Sequence, residues 1–317
     1  MHTFRAYIRR LREPLNFYLF VLVCAGMFGW FGRFQLAFLS DYTTVTLAGI
    51  IFFSALKIPL KEVTAVGRHP RTIILFNIAK LVLLPIAIYI PALVLCPPLA
   101  LPLLVLATVP SAMSSPLFAD IIGGRPSLAV VATLTSSLLA PITIPLVIKT
   151  LAGVSVHVPF WPMALSIAEV IVVPLSFAWV VRHSVPRMVE RSEPYLGHAS
   201  ILMLGLLTTG VLAKQSQVAL SHFSLLTLGW YLLVTSGMML VFYVAGFGFS
   251  AHTTFKDRIT LTVGISNMNF TLALYLVTTY FPSPENVILI TVSIIPWFVM
   301  IIIFKLLLQK HWLRAPH

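Results

Sequence analysis

Long apolar stretches are the feature of this sequence that most restricts its fold. Ten of them, each close to the roughly 20 residues that a helix needs to cross a bilayer, are separated by short polar or proline-containing turns. Continuous apolar runs of this length predict an all-α membrane protein and exclude a β-barrel, whose strands alternate apolar and polar residues. The stretches cover residues 15–33, 41–57, 71–95, 99–123, 126–150, 160–181, 195–213, 224–249, 258–280 and 285–308.

Charged residues are too scarce to form a water-soluble surface. They make up 9% of the 317 residues, and 59% are hydrophobic, whereas soluble proteins carry about 25% charged residues. We therefore expect the chain to lie in a lipid bilayer. The two cysteines, Cys24 and Cys96, provide neither a disulfide framework nor a metal cluster. Since the sequence also lacks a nucleophile elbow, a Walker loop and a His-Glu-x-x-His motif, we expect no enzyme activity, no cofactor and no bound metal.

The net charge of +12 is explained by membrane topology. If the N-terminus is cytoplasmic, alternate loops place 17 lysines and arginines on the cytoplasmic side and three on the outer side, namely Arg33, Lys149 and Lys214. Because basic residues are retained in the cytoplasm, we predict a multi-pass protein of the cell inner membrane with both termini cytoplasmic. This distribution argues against nucleic-acid binding, and the oligomeric state stays open.

Two of the predicted helices are interrupted by small and polar residues. The fourth contains the segment Pro110–Pro116 and the ninth contains Gly264–Asn269. These are the fourth members of two five-helix halves, and an odd number of spans inverts the second half relative to the first, so we predict two inverted repeats with helices 4 and 9 broken and crossing. The predicted divisions are a basic cytoplasmic N-terminus (1–14), a first repeat (15–150), a second repeat (160–308) and a cytoplasmic tail (309–317).

Interruptions at matching positions of two repeats are typical of binding sites in secondary transporters. A half-helix that restarts inside the membrane presents free N–H groups and partial positive charge, which suits an anion. We expect Ser114 or Ser115 to cap the first restart and Ser266 or Asn267 the second. The alternative is that these residues only kink the helices or let them pack closely. The predicted substrate-binding residues are Ser111, Ser114, Ser115, Asn267 and Asn269.

Three parts of the sequence resemble the bile acid:sodium symporter family. They are Gly49–Lys61, the segment Pro110–Ser115 with the helix that follows it (Ser127–Thr133 and Ser137–Pro145), and Thr260–Asn267. The resemblance implies a core domain in which the broken helices cross and a panel domain that rocks against it. It also implies transport of organic anions, which are bile-acid-like or small carboxylates.

The sodium ligands that this resemblance implies are largely missing. Thr133 and Asn267 are retained, but Lys80 stands where the family has a glutamine in the third helix. Four further positions, at which the family has Asn, Ser, Glu and Gln, carry Pro116, Ala129, Thr262 and Ser266. A site that loses a carboxylate and gains an ammonium disfavours a cation, since like charges repel strongly at low dielectric. We expect sodium-independent transport, with an ion-site region formed by Lys80, Ser115, Thr133, Thr262 and Ser266.

Lys80 and Glu169 are ionisable residues well inside predicted spans, where charge is costly and usually functional. Lys80 is expected to act as a tethered cation in place of sodium or as a proton carrier. Glu169 is a second candidate proton carrier or a packed structural acid. The opposing interpretation is that Lys80 reaches the membrane surface while Thr133 and backbone carbonyls rebuild a weak sodium site. Asp120 is expected to pair with Arg125 at the cytoplasmic turn.

Two other functions fit parts of the pattern. The chain has features of an auxin-efflux-like or other anion exporter, and it is also compatible with a membrane receptor that does not transport. An arsenite carrier is disfavoured because Cys24 and Cys96 lie outside both interruptions.

Overall fold

The computed structural model describes residues 14–32, 34–57, 70–222 and 224–312. Regular structure in these ranges is helical, with one isolated antiparallel bridge between Ser111 and Met268. A 3-10 helix, Ala37–Tyr42, precedes the second helix, and a π-helical turn, Ala79–Leu83, joins the third helix to the fourth. The α-helices are α1 Pro14–Phe31, α2 Thr43–Leu56, α3 Pro70–Ile78, α4 Leu84–Leu95, α5 Pro97–Thr108, α6 Ser115–Ile122, α7 Pro126–Ala152, α8 Phe160–Ser184, α9 Pro186–His222, α10 Leu225–Phe249, α11 Phe255–Ser266, α12 Phe270–Tyr280, α13 Pro284–Val292 and α14 Ile294–Trp312.

Seven stretches of the described residues are long and apolar enough to cross a membrane. They are Ala37–Leu56, Pro70–Leu95, Pro126–Ala152, Phe160–Ser184, Pro186–Lys214, Leu225–Phe249 and Pro284–Leu308. Helices α5 and α12 are also apolar but shorter. These helices support a multi-pass membrane protein, as the sequence predicts.

The helices depart from the predicted segments in three places. Helix α9 extends far beyond 195–213 because its first turns carry exposed polar residues that favour a helix but not a bilayer. The segment 285–308 is divided at Ser293, whose hydroxyl donates to the Ile290 carbonyl at 2.6 Å. The third segment contains the π-helical turn, and Lys80 lies within it. Hydropathy cannot mark the division at Ser293 or the π-helical turn, since both lie within spans that stay apolar, and it ends at the polar residues through which α9 continues.

The described residues of 14–57 and 169–222 form one compact unit. Helix α9 packs along α1 and α2. Gly29 allows this close approach, because a Cβ at that position would lie 2.7 Å from the Cβ of Leu212. The Phe52 ring stacks on Phe177 with 5.3 Å between the ring centroids. Apolar packing between long helices therefore holds this unit together.

The described residues of 70–168 and 224–312 form the second compact unit. Helix α7 packs against α3, α5, α6 and α11 and so lies at its centre. Trp297 of α14 is fully buried and meets Phe118 of α6 and Phe270 of α12 edge-on, at centroid distances of 5.2 and 5.8 Å. Both interrupted segments, between α5 and α6 and between α11 and α12, lie in this unit.

The turn between α6 and α7 is fastened to the first turns of α11. Gly123 ends α6 with a positive φ of 86°, a conformation that glycine adopts without steric cost. The chain then turns so that the Arg125 guanidinium lies 3.0 Å from Asp257 Oδ1, and the Arg125 backbone N–H donates to Thr260 Oγ1 at 2.6 Å. The expected pair of Arg125 with Asp120 is therefore wrong. The left-handed glycine directs the arginine away from α6 and towards α11.

We predict that the Arg125–Asp257 ion pair stabilises the contact between the α6–α7 turn and the first turn of α11. Arg125→Ala and Asp257→Ala should each lower the free energy of unfolding by about 0.5–1 kcal/mol, since the Arg125 side chain is 42% exposed and water screens the pair. The charge-swapped variant, Arg125→Asp with Asp257→Arg, should recover part of that loss in a double-mutant cycle measured by denaturant unfolding. Lys214→Ala is the matched control, because its pair with Asp41 is longer, at 3.7 Å, and more exposed. Strictly additive single losses at Arg125 and Asp257 would contradict the prediction.

Candidate functional site

The first interruption follows from prolines that flank a short polar segment. Helix α5 ends at Thr108, Val109 is extended, and α6 restarts at Ser115 with Pro116 in its first turn, where a missing N–H costs nothing. Ser114 occupies the N-cap position, but its hydroxyl makes no bond to the backbone of α6. The expected side-chain cap is thus wrong for this restart, because the hydroxyl is engaged elsewhere.

The second interruption uses a different residue from the one expected. Helix α11 ends at Ser266, and α12 begins at Phe270 with Asn269 as its N-cap. Asn269 Oδ1 accepts from the Leu272 N–H at 3.1 Å and from the Thr271 hydroxyl at 2.7 Å. Ser266 and Asn267 are therefore not the caps, since the break continues to Asn269 before the helix restarts.

The two interruptions lie against each other and exchange backbone hydrogen bonds. The Ala112 N–H donates to the Asn267 carbonyl at 2.8 Å, and the Asn269 N–H donates to the Pro110 carbonyl at 3.1 Å. The Ser111 hydroxyl adds a bond of 2.6 Å to the Gly264 carbonyl. Backbone groups released by one break are thus satisfied by the other, as buried backbone requires.

Asn267 joins the second interruption to the restart of the first. Its side-chain Nδ2 donates to Ser114 Oγ at 3.2 Å and to Ser115 Oγ at 3.1 Å. Asn267 and Ser115 are buried, and Ser114 is half-buried. The structure therefore brings together Ser111, Ser114, Ser115 and Asn267 of the predicted substrate-binding set. Asn269 lies beside them, with its side-chain oxygen already occupied as a cap.

The predicted ion-site residues fall into two chemical groups. Thr262 Oγ1 donates to the Arg258 carbonyl at 2.7 Å and Ser266 Oγ to the Thr262 carbonyl at 2.9 Å, so both hydroxyls are bonded within α11. Lys80 and Thr133 are buried, and neither Lys80 Nζ nor Thr133 Oγ1 has a hydrogen-bond partner among the described residues. Among the predicted ion-site residues, the side-chain groups without a partner in the described parts of the chain are thus the Lys80 ammonium and the Thr133 hydroxyl.

Lys80 is held in an apolar environment by a distorted segment of helix. It lies in the π-helical turn, is 0% exposed, and places Nζ 4.9 Å from the centroid of the Phe242 ring. The aromatic face offers some stabilisation to an ammonium, and π-helical turns often occur at functional sites. Lys80 forms no ion pair with an acidic residue in the described parts of the chain. A full positive charge at this position would therefore require compensation by a ligand.

Glu169 does not belong to this group of residues. It lies on α8, is exposed, and falls in the unit formed by residues 14–57 and 169–222. Within the described ranges no group of three or more His, Cys, Asp or Glu residues is positioned to hold a metal ion.

The structure adds contacts of the site that sequence reasoning did not assign. Ser136 Oγ accepts from the Ser111 N–H at 3.3 Å and thereby connects α7 to the first interruption. Gly264 packs so closely that a Cβ would lie 3.1 Å from the Phe76 ring. The dense hydroxyl run from Thr133 to Ser137 was the available signal for Ser136, whereas the Phe76 and Phe242 contacts left no mark in the sequence.

Comparisons with known proteins agree with this architecture. The model of the sodium bile acid symporter family matches residues 44–223. The sodium/bile acid cotransporter 7 of Danio rerio is 25% identical over 267 residues, which cover 80% of this chain and 78% of that protein.

We predict that the Ser111 hydroxyl is a structural link between the two interruptions. Ser111→Ala should lower the free energy of unfolding by about 1–3 kcal/mol, because the buried Gly264 carbonyl then loses its partner. Ser293→Ala is the matched control, since Ser293 is equally buried and its 2.6 Å bond to Ile290 lies within one local segment. The control should cost less than half as much in the same denaturant titration. Equal losses would mean that the Ser111 bond does not link the breaks.

Proposed function

This chain belongs to the sodium bile acid symporter family, and from that premise we propose that it is a secondary transporter of organic anions that works by alternating access without sodium. The observation that carries the proposal is the crossing of two interrupted helices at Asn267, Ser114 and Ser115. The same unit holds a buried lysine that has no acidic partner among the described residues. The family is one of transporters, not of enzymes.

The crossing favours an anion over a cation. Helices α6 and α12 both restart at the crossing, and their N-termini contribute partial positive charge. Residues 97–119 and 258–284, which include both breaks, contain neither Asp nor Glu. Lys80 adds an ammonium in the same unit. A carboxylate is the charged group that this arrangement stabilises best, and the name of the Danio rerio relative, a sodium/bile acid cotransporter, agrees with an organic anion.

Loss of sodium coupling follows from the same chemistry. Sodium needs several oxygen ligands, and a carboxylate usually contributes charge. Thr262 and Ser266 instead direct their hydroxyls to carbonyls of α11. The Lys80 ammonium supplies a tethered positive charge with three donors in place of a diffusible ion. We propose that this ammonium replaces sodium as the counter-charge of the bound anion.

The proposal includes the number of membrane spans and the side on which the termini lie. We propose that α5 with α6, and α11 with α12, each form one interrupted span, which gives ten spans in two inverted halves. Both chain termini are then cytoplasmic, and the protein lies in the cell inner membrane. The arginines and lysines outside the spans agree with this orientation.

Uptake into proteoliposomes tests the proposal. Labelled carboxylates, cholate and succinate, should accumulate at rates that differ by less than about twofold when choline or potassium replaces sodium. Lys80→Gln should lower uptake without making it sodium-dependent, since Thr262 still stands where a carboxylate is needed. Loss of wild-type uptake in choline, restored by millimolar sodium, would contradict the proposal. Binding of the carboxylates without any accumulation would indicate a receptor.

The same assay locates the binding site. Asn267→Ala should reduce uptake at least about tenfold, because Ser114 and Ser115 lose the amide that holds them at the restart of α6. Asn286→Ala is the matched control: this amide is also buried and donates to a carbonyl, that of Phe281 at 2.8 Å, but it caps no break. The control should retain the wild-type Michaelis constant. A similar rise in the Michaelis constant for both variants would argue against a site at the crossing.

A further inference from the structure

Two hydroxyls of α7 are unusual among the buried hydroxyls of their unit. Thr133 and Ser137 are each 1% exposed, and neither Oγ atom has a hydrogen-bond partner in the part of the chain that the structure describes. Every other buried serine and threonine in the described residues of that unit has one. A buried hydroxyl without a partner is costly, so two of them one turn apart need an explanation.

The helix itself could have satisfied both groups. Serine and threonine in helices commonly donate to the carbonyl three or four residues earlier. Thr135 and Ser136, which lie between the two, make such bonds to Val131 at 2.9 Å and to Thr133 at 3.0 Å. The hydroxyls of Thr133 and Ser137 thus make no hydrogen bond to the helix backbone, although neighbouring hydroxyls in the same described segment do.

The withheld hydroxyls lie on the side of α7 that meets the first interruption. Positions 133, 136 and 137 share one helical face by their spacing, and Ser136 on that face accepts from the Ser111 N–H at 3.3 Å. Thr135 lies on a different face, where it accepts from Asn77 of α3 at 3.0 Å. Helix α7 also packs against α6, which begins at the crossing, and against α11, which ends there. The pair is therefore adjacent to the proposed binding site.

The surroundings restrict what these hydroxyls can bind. Residues 97–119, 126–152 and 258–284 contain no Asp or Glu. Helices α5, α7 and α12 therefore provide no carboxylate acceptor, and the carboxylate of α11, Asp257 in its first turn, pairs with Arg125. Two hydroxyl donors spaced about 5–6 Å apart on one helix face match an oxygen-bearing group on a ligand. An apolar ligand surface would leave both hydroxyls unsatisfied and would bind less well.

We propose that Thr133 and Ser137 bind a second polar group of the substrate, a hydroxyl or a second carboxylate, and so select small di- and hydroxycarboxylates over anions with a single polar group. This inference rests on the proposed function, because it assigns the first carboxylate to the crossing of the breaks. The selectivity comes from the cost of leaving two buried donors unpaired, which is the usual source of strong discrimination by polar sites.

Matched pairs of carboxylates test this selectivity. Apparent dissociation constants are measured from thermal stabilisation of the purified full-length protein by lactate, propionate, succinate and butyrate in choline buffer. Lactate differs from propionate by one hydroxyl, and succinate differs from butyrate by one carboxylate. Wild type should bind the first member of each pair about tenfold more tightly than the second.

Variants then assign the selectivity to the two hydroxyls. Ser137→Ala and Thr133→Val should weaken lactate and succinate binding about tenfold while propionate and butyrate binding stays unchanged. A purely structural role would weaken all four ligands together. Thr143→Val is the matched control, because the Thr143 hydroxyl lies on the same helix and donates to the Leu139 carbonyl at 3.0 Å. It should preserve both selectivity ratios.

The outcomes separate this inference from the proposed function. Equal wild-type binding within each pair, or selectivity that survives both substitutions, overturns the inference and leaves anion transport intact. If none of the four carboxylates binds, the inference fails, and the proposed function is decided by the uptake assay, which includes a bile acid. Stabilisation that requires sodium instead of choline contradicts the sodium-independent cycle, whereas selectivity lost in the two variants still supports the role of Thr133 and Ser137.

Discussion

The structure depends on one constraint, which is that backbone polar groups inside a membrane must find partners without water. An interrupted helix releases several such groups, and a single break would leave them unpaired. Here the breaks satisfy each other, through the bonds of Ala112 to Asn267 and of Asn269 to Pro110. The Ser111 bond to Gly264 extends the same arrangement. The polar crossing is therefore possible only because both interruptions occur together, and this is why we propose a binding site there.

The unit that contains the crossing also contains a buried positive charge. A buried lysine is costly unless its charge is compensated. Lys80 contacts the Phe242 ring and has no acidic partner within the ranges that the structure describes. The helix N-termini at the crossing also favour negative charge. An organic anion would compensate these positive groups, and a sodium ion would add to them. Thr133 and Ser137 then contribute specificity, since neutral donors discriminate among anions without adding further charge.

Local sequence patterns predicted the features that depend on neighbouring residues in the chain. The all-helical membrane class, the positions of both interruptions and the family resemblance were correct, because each depends on short segments, whereas the ten-span arrangement stays a prediction. The partner of Arg125 and the cap of α12 were wrong. Asp257 is more than one hundred residues from Arg125. Asn269 is the cap because the break continues past Asn267, whose side chain binds Ser114 and Ser115, 153 and 152 residues away. The unpartnered state of Thr133 and Ser137 was likewise inaccessible, since it depends on which hydroxyls the packing withholds from the helix backbone.

The central claim is that Lys80 makes this member of a sodium symporter family independent of sodium. Direct binding of radioactive ²²Na⁺ to the purified protein, measured by equilibrium dialysis with and without succinate, tests it without relying on turnover. The account predicts no saturable binding up to tens of millimolar sodium, because an ammonium and redirected hydroxyls occupy the region of the ion. Saturable binding of one or more sodium ions per chain, strengthened by succinate, would contradict it.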